Sequence, residues 1–134
     1  MTEIIGTRLG RYEIRERLGK GGMAAVYKAW DMNLDRWVAV KVLHDFLADE
    51  KGFKERFERE AKVVASLNHP NIVQVYDFDI TNRGSEAIYY MVMAYIGGPS
   101  LKQIMDDKHD QGESLSLTEI TTVMRGVCLS LIHI

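Results

Sequence analysis

The chain has 134 residues, 46% of them hydrophobic and 27% charged, with a formal net charge of −2. Such a composition builds one small folded domain and excludes a disordered or low-complexity protein. Acidic and basic residues are interspersed, leaving no basic footprint for nucleic acid, and no run approaches the roughly 20 apolar residues of a membrane span.

Residues 1–11 lack the apolar stretch of a signal peptide and read as a lead-in. Tyr12, Ile14 and Leu18 fall at even spacing with charge mainly between them, which predicts a strand over 12–18. Gly19, Gly21 and Gly22 interrupt it, and Val26 and Tyr27 mark a second strand over 24–30, so the two form a hairpin with glycines at its tip. After a polar turn at 31–35, an apolar run over 37–43 with a single lysine predicts a third strand.

Phe53, Phe57, Val64 and Leu67 recur at three- and four-residue steps, predicting a helix over 52–67. Asn68-His69-Pro70 ends it, because proline disfavours helix at the residue before it. Strands over 72–78 and 88–95 flank a turn at Asn82-Arg83-Gly84-Ser85. Gly97-Gly98-Pro99 precedes a short helix over 100–107, and Ser116 with Glu119 is a capping-box signature for a last helix from Leu117 to about 131. The one cysteine, Cys128, permits no internal disulfide and fits a reducing, cytoplasmic compartment. Its apolar neighbours predict a buried, inert thiol. The element order predicts an α+β fold: a five-stranded antiparallel sheet carrying one helix over 12–96, then helices over 97–134 that begin a second lobe.

Three positions point to chemistry. In Gly19-Lys20-Gly21-Gly22-Met23-Ala24-Ala25-Val26 the glycines let backbone N–H groups approach phosphate oxygens. Taken alone this is equally an ordinary glycine hairpin; because it joins two strands, a dinucleotide-binding loop or a P-loop, which lead into helices, is disfavoured. Lys41 lies within Val38-Ala39-Val40-Lys41-Val42, and strand alternation puts it on the face of Ala39. Glu60 falls on the stripe 53, 57, 60, 64, 67, where a carboxylate is costly unless paired. Lys41 on the neighbouring strand is the available partner, and the pair would hold the ammonium where nucleotide phosphates could meet it.

With His69-Pro70-Asn71-Ile72-Val73 and Tyr90-Met91-Val92-Met93-Ala94-Tyr95 following in order, the chain resembles the protein kinases, and in detail the eukaryotic-like serine/threonine kinases of bacteria. The resemblance implies transfer of the ATP γ-phosphoryl group to a protein hydroxyl, with ATP and Mg²⁺ as cofactors and a protein substrate as partner. It implies that Leu18, Val26 and Ala39 roof the adenine, that Gly19, Lys20, Gly21 and Gly22 fold over the phosphates, and that Lys41, steered by Glu60, binds the α- and β-phosphates. Met93 would be the gatekeeper, backbone groups of Ala94 and Ile96 would hydrogen-bond adenine, and Leu101 would pack beneath the base. Val64 and Val75 would belong to a packed column linking helix and site. The family's third loop glycine is Ala24 here, and its usual acidic residue after the gatekeeper is Ala94.

The family's His-Arg-Asp loop and Asp-Phe-Gly motif do not occur in these 134 residues. The resemblance places the catalytic base and the Mg²⁺ ligands in them, so this stretch by itself is expected to be inactive. Residues 129–134 read like a translated sequencing adapter, expected to be artefactual, with a natural apolar helix end as the alternative. A non-catalytic pseudokinase or half-domain scaffold, a small-molecule phosphotransferase, a dimer of kinase domains and a membrane anchor further along a longer parent all stay open at this point.

Overall fold

The computed structural model describes residues 4–20, 24–43 and 51–133. These form two compact units, Met1–Asn68 with Val73–Tyr95, and His69–Ile72 with Ile96–Ile134. In the first, six strands make one antiparallel sheet: β1 (Arg8–Leu9), β2 (Tyr12–Lys20), β3 (Ala24–Asp31), β4 (Arg36–Leu43), β5 (Val75–Arg83) and β6 (Glu86–Ala94), in spatial order β1-β2-β3-β4-β6-β5. The expected five strands are joined by the two-residue β1, which pairs Arg8 with Glu13 and Leu9 with Tyr12. The segment read as a lead-in is therefore part of the body: Ile4 and Leu9 are buried, and Gly6 N donates to Ile14 O at 2.8 Å while Ile14 N donates to Thr7 O at 2.9 Å.

The core lies on one face of the sheet. Tyr12 and Ile14 of β2, Tyr27 and Ala29 of β3, Val38, Val40 and Val42 of β4, and Tyr90 and Val92 of β6 are all buried there. Strand alternation accounts for the set, since every second residue is apolar and side chains at i and i+2 share a face. Leu18 departs from its expected place beside Tyr12 and Ile14. Irregularities between Ile14 and Glu16 and between Arg17 and Gly19 break the even spacing, and Leu18 emerges 44% exposed.

Two turns are fixed by backbone chemistry. Asp31, fully buried, accepts at Oδ1 from Asn33 N at 3.0 Å and Leu34 N at 3.2 Å, an Asx-type turn that carries β3 into β4. Arg11 Nε lies 3.3 Å from the same oxygen. The β5–β6 turn is tighter than expected, because Arg83 pairs with Glu86 and only Gly84 and Ser85 are left to close it. Gly84 takes φ 65°, the positive φ that two-residue hairpins require.

The helix α1 (Phe53–Ser66) belongs to the sheet unit. The other unit holds α2 (Leu101–Asp110) and α3 (Leu117–His133). Ser116 Oγ accepts from Glu119 N at 3.1 Å and donates to Glu119 Oε1 at 3.2 Å, so the predicted cap forms. A complete capping box, Ser100 with Gln103, starts α2. Lys108 Nζ lies 3.6 Å from Glu119 Oε1, and Asn71 Nδ2 donates to Gly126 O at 3.1 Å. Cys128 is exposed rather than buried. The described residues leave the apolar positions of α3 uncovered, and Leu117, Met124 and Leu131 are exposed with it.

Two core tyrosines carry a pH signature. Burial, then Asp77, whose carboxylate accepts the Tyr12 hydroxyl at 3.1 Å, pushes the Tyr12 phenol up to about 12. Burial, then Asp79 and Asp77, pushes Tyr90 up to about 12. Between about pH 10 and 12 the folded chain keeps protons that the unfolded chain releases, so stability is unaffected by these groups below pH 10 and falls as pH rises through that window. Urea midpoints at about pH 9 and pH 11 should show this loss, and the Tyr12→Phe/Tyr90→Phe double variant should show a smaller one.

Candidate functional site

β4 organises the site. With Val38, Val40 and Val42 turned into the core, Ala39 and Lys41 face the other side of the sheet. Register then supplies their neighbours. On β3, Val26 lies opposite Lys41 and Lys28 opposite Ala39; on β6, Met91 lies opposite Lys41 and Met93 opposite Ala39. Directly opposed residues project to the same face. One patch therefore gathers four of the expected site residues: Val26 and Met93 half-buried, Ala39 buried and Lys41 exposed.

Gly19 pairs with Val26 and Lys20 with Ala25, so the glycine loop leaves the sheet beside this patch. Gly21 and Gly22 lie outside the described residues. Ala94 pairs with Val38, and its N–H donates to Gln74 O at 2.9 Å, which leaves only its carbonyl as a candidate to meet a base. Ile96 and Leu101 are exposed and belong to the helical unit.

The helix departs from expectation in one respect. Its packed stripe is Phe53, Phe57 and Ala61, at steps of four, with Phe57 and Ala61 buried. Phe57 meets Phe78 at 6.1 Å and Tyr89 at 5.4 Å between ring centroids, both edge-on, and Phe53 meets Tyr89 at 5.2 Å. Glu60 lies on the flank of this stripe and is exposed. The cost of burying a carboxylate, which made a partner necessary, does not arise here. Among the described residues no ion pair joins Lys41 to Glu60. Of the two column positions, Val75 is buried opposite Met93, and Val64 is exposed on α1.

Two features had no signal in the sequence spacing. Gln74 ties the start of β5 to the end of β6 through Ala94. Lys28 stands over two rings, 4.5 Å from the centroid of Trp37 and 4.8 Å from that of Tyr95. Among the described residues no cluster of His, Cys, Asp and Glu could hold a metal ion, and no helix is long and apolar enough to cross a membrane.

Residues 12–134 match the model of the protein kinase domain. The chain belongs to the protein kinase family. It is 47% identical over 104 residues to the serine/threonine-protein kinase PksC of Streptomyces coelicolor, an overlap covering 77% of this chain and 19% of that protein. Over 101 residues it is 48% identical to the serine/threonine-protein kinase PrkC of Bacillus subtilis, covering 75% of this chain and 15% of that one. The solved PknI kinase domain of Mycobacterium tuberculosis superposes with a TM-score of 0.78 at 28% identity, covering 98% of this chain and 51% of that domain. The chain thus spans about half of a solved kinase domain and a fifth or less of these curated kinases. Its sheet and α1 form the kinase N-terminal lobe, followed by the first helices of the next lobe.

The aromatic cluster and Glu60 should separate cleanly by stability. Phe57→Ala is expected to cost about 3 kcal/mol in urea unfolding, because it empties the contact between α1 and the sheet. Glu60→Ala, at an exposed position, should shift stability by no more than about 0.5 kcal/mol.

Proposed function

We propose that this chain is the ATP-holding part of a serine/threonine protein kinase that transfers the γ-phosphoryl group to a protein hydroxyl. One observation carries the reading within the family: register sets a cation, Lys41, on the same sheet face as Val26 and Ala39 and directly beside them. An apolar surface suits the face of a purine, and an ammonium about two strand residues further on, roughly 7 Å away, suits the phosphates attached to it.

In this reading Leu18, Val26 and Ala39 cover adenine, and Met93 closes the back of the space opposite Ala39. The carbonyl of Ala94 and the backbone of Ile96 hydrogen-bond the base. Gly19 to Gly22 bring backbone N–H groups over the phosphates, with Lys20 among them. Lys41 neutralises charge on the α- and β-phosphates, a positioning and electrostatic contribution rather than covalent chemistry. Pairing between Lys41 and Glu60 requires α1 to turn its exposed flank towards β4, which makes that ion pair a feature of the working state. Magnesium, when bound, neutralises phosphate charge. Among the described residues no group of three or more His, Cys, Asp and Glu side chains could hold it. The 134 residues carry neither His-Arg-Asp nor Asp-Phe-Gly, so in this reading they alone bind nucleotide weakly and do not transfer phosphate.

The test is Lys41→Met in the full-length protein that carries this chain. Phosphorylation of a protein substrate should fall by about 10²–10³-fold. The unfolding midpoint should hold, because an exposed side chain contributes little to stability. Near-normal transfer of label from ATP by this variant would remove Lys41 from the role and the patch from the function.

A further inference from the structure

We propose that Lys28 is a positioning residue for the nucleotide: its ammonium, held between the rings of Trp37 and Tyr95, fixes the point at which the chain leaves the sheet. The last paired residues of β4 and β6 are Val38 and Ala94. Trp37 and Tyr95 are the next positions out, where the ladder has stopped. Lys28 Nζ lies 4.5 Å from one centroid and 4.8 Å from the other, within the range at which a cation is attracted to a ring face. Trp37 is braced in turn by Trp30, edge-on at 5.0 Å. Among the described residues no carboxylate is paired with Lys28, so the rings are what hold its ammonium in place.

The location gives the contact its consequence. Tyr95 is the last residue of the sheet unit, and Ile96 already belongs to the helical one. Just before the exit, Ala94 is tied by its N–H to Gln74 O at 2.9 Å. Lys28 supplies the second tie, one residue later. Between the two ties sits the Ala94 carbonyl, the group assigned above to the base. Lys28 also lies opposite Ala39, so the tie is anchored on the strand that roofs the same base. The inference rests on the nucleotide reading proposed above. Its specific content is that Lys28 acts on the affinity for adenine and leaves the phosphoryl step alone.

In the full-length protein, Lys28→Leu should raise the KM for ATP by about three- to tenfold, the scale of one partly exposed cation–π contact. The kcat at saturating ATP and the urea midpoint should stay at wild-type values. Lys28→Arg, which keeps a cation between the rings, should restore the KM. Tyr95→Leu, which removes one ring, should reproduce the loss. A wild-type KM in Lys28→Leu overturns the proposal. So does a raised KM that arginine fails to restore, because the loss would then belong to packing and not to the cation. Nucleotide binding that is absent even from the wild-type protein sinks the underlying reading, and a parallel titration with a fluorescent adenine nucleotide reads that outcome separately.

Discussion

The alternation of β4 constrains everything else about the site. Three valines, Val38, Val40 and Val42, are almost wholly removed from water on one face of a central strand. Apolar burial on that scale is worth roughly 1.5–3 kcal/mol per side chain, and slipping the strand by one residue would expose all three at once. The register is therefore held from the core side. Ala39 and Lys41 have no freedom to choose a face: they point where the valines do not. The neighbours then follow from the ladder, Val26 and Lys28 from β3, Met91 and Met93 from β6. Lys41 is thus placed by hydrophobic residues on the opposite face of its own strand.

How much of this was legible in the sequence depends on where the determining contact lies. β2, β3, β4 and β6 announce themselves by period-two apolar residues, and α1 by its phenylalanines. β5 was legible only in part. Residues 79–83 lie beyond the strand expected over 72–78, with Asn82 and Arg83 in the expected turn, but β5 is an edge strand, and ladder pairing carries it to Arg83 without a clean apolar alternation. Its start at Val75, later than the expected 72, has a different cause. Asn71 is held by Gly126, 55 residues away, and no local period reports a bond of that separation.

The site shows the same division. The shared face of Ala39 and Lys41 follows from alternation alone. Glu60 falls on the expected core-facing stripe because a helical stripe drawn from sequence is broad, and residues at three- and four-residue steps cover more of the helix than the sheet touches. The packed edge runs through Phe53, Phe57 and Ala61, and the carboxylate sits just beyond it. Gln74 and Lys28 were invisible because their partners come from register and from the end of a strand, neither of which has a residue signature.

The division into two units has a consequence for how the chain can be cut. His69–Ile72 belongs with the helices although the residues on either side of it, Asn68 and Val73, belong with the sheet. The polypeptide therefore passes between the units three times, after Asn68, after Ile72 and after Tyr95. A single nick in the glycine pair Gly97-Gly98 would sever residues 98–134 from the rest of the chain, while His69–Ile72 stays on the other fragment, its Asn71 still able to hydrogen-bond Gly126.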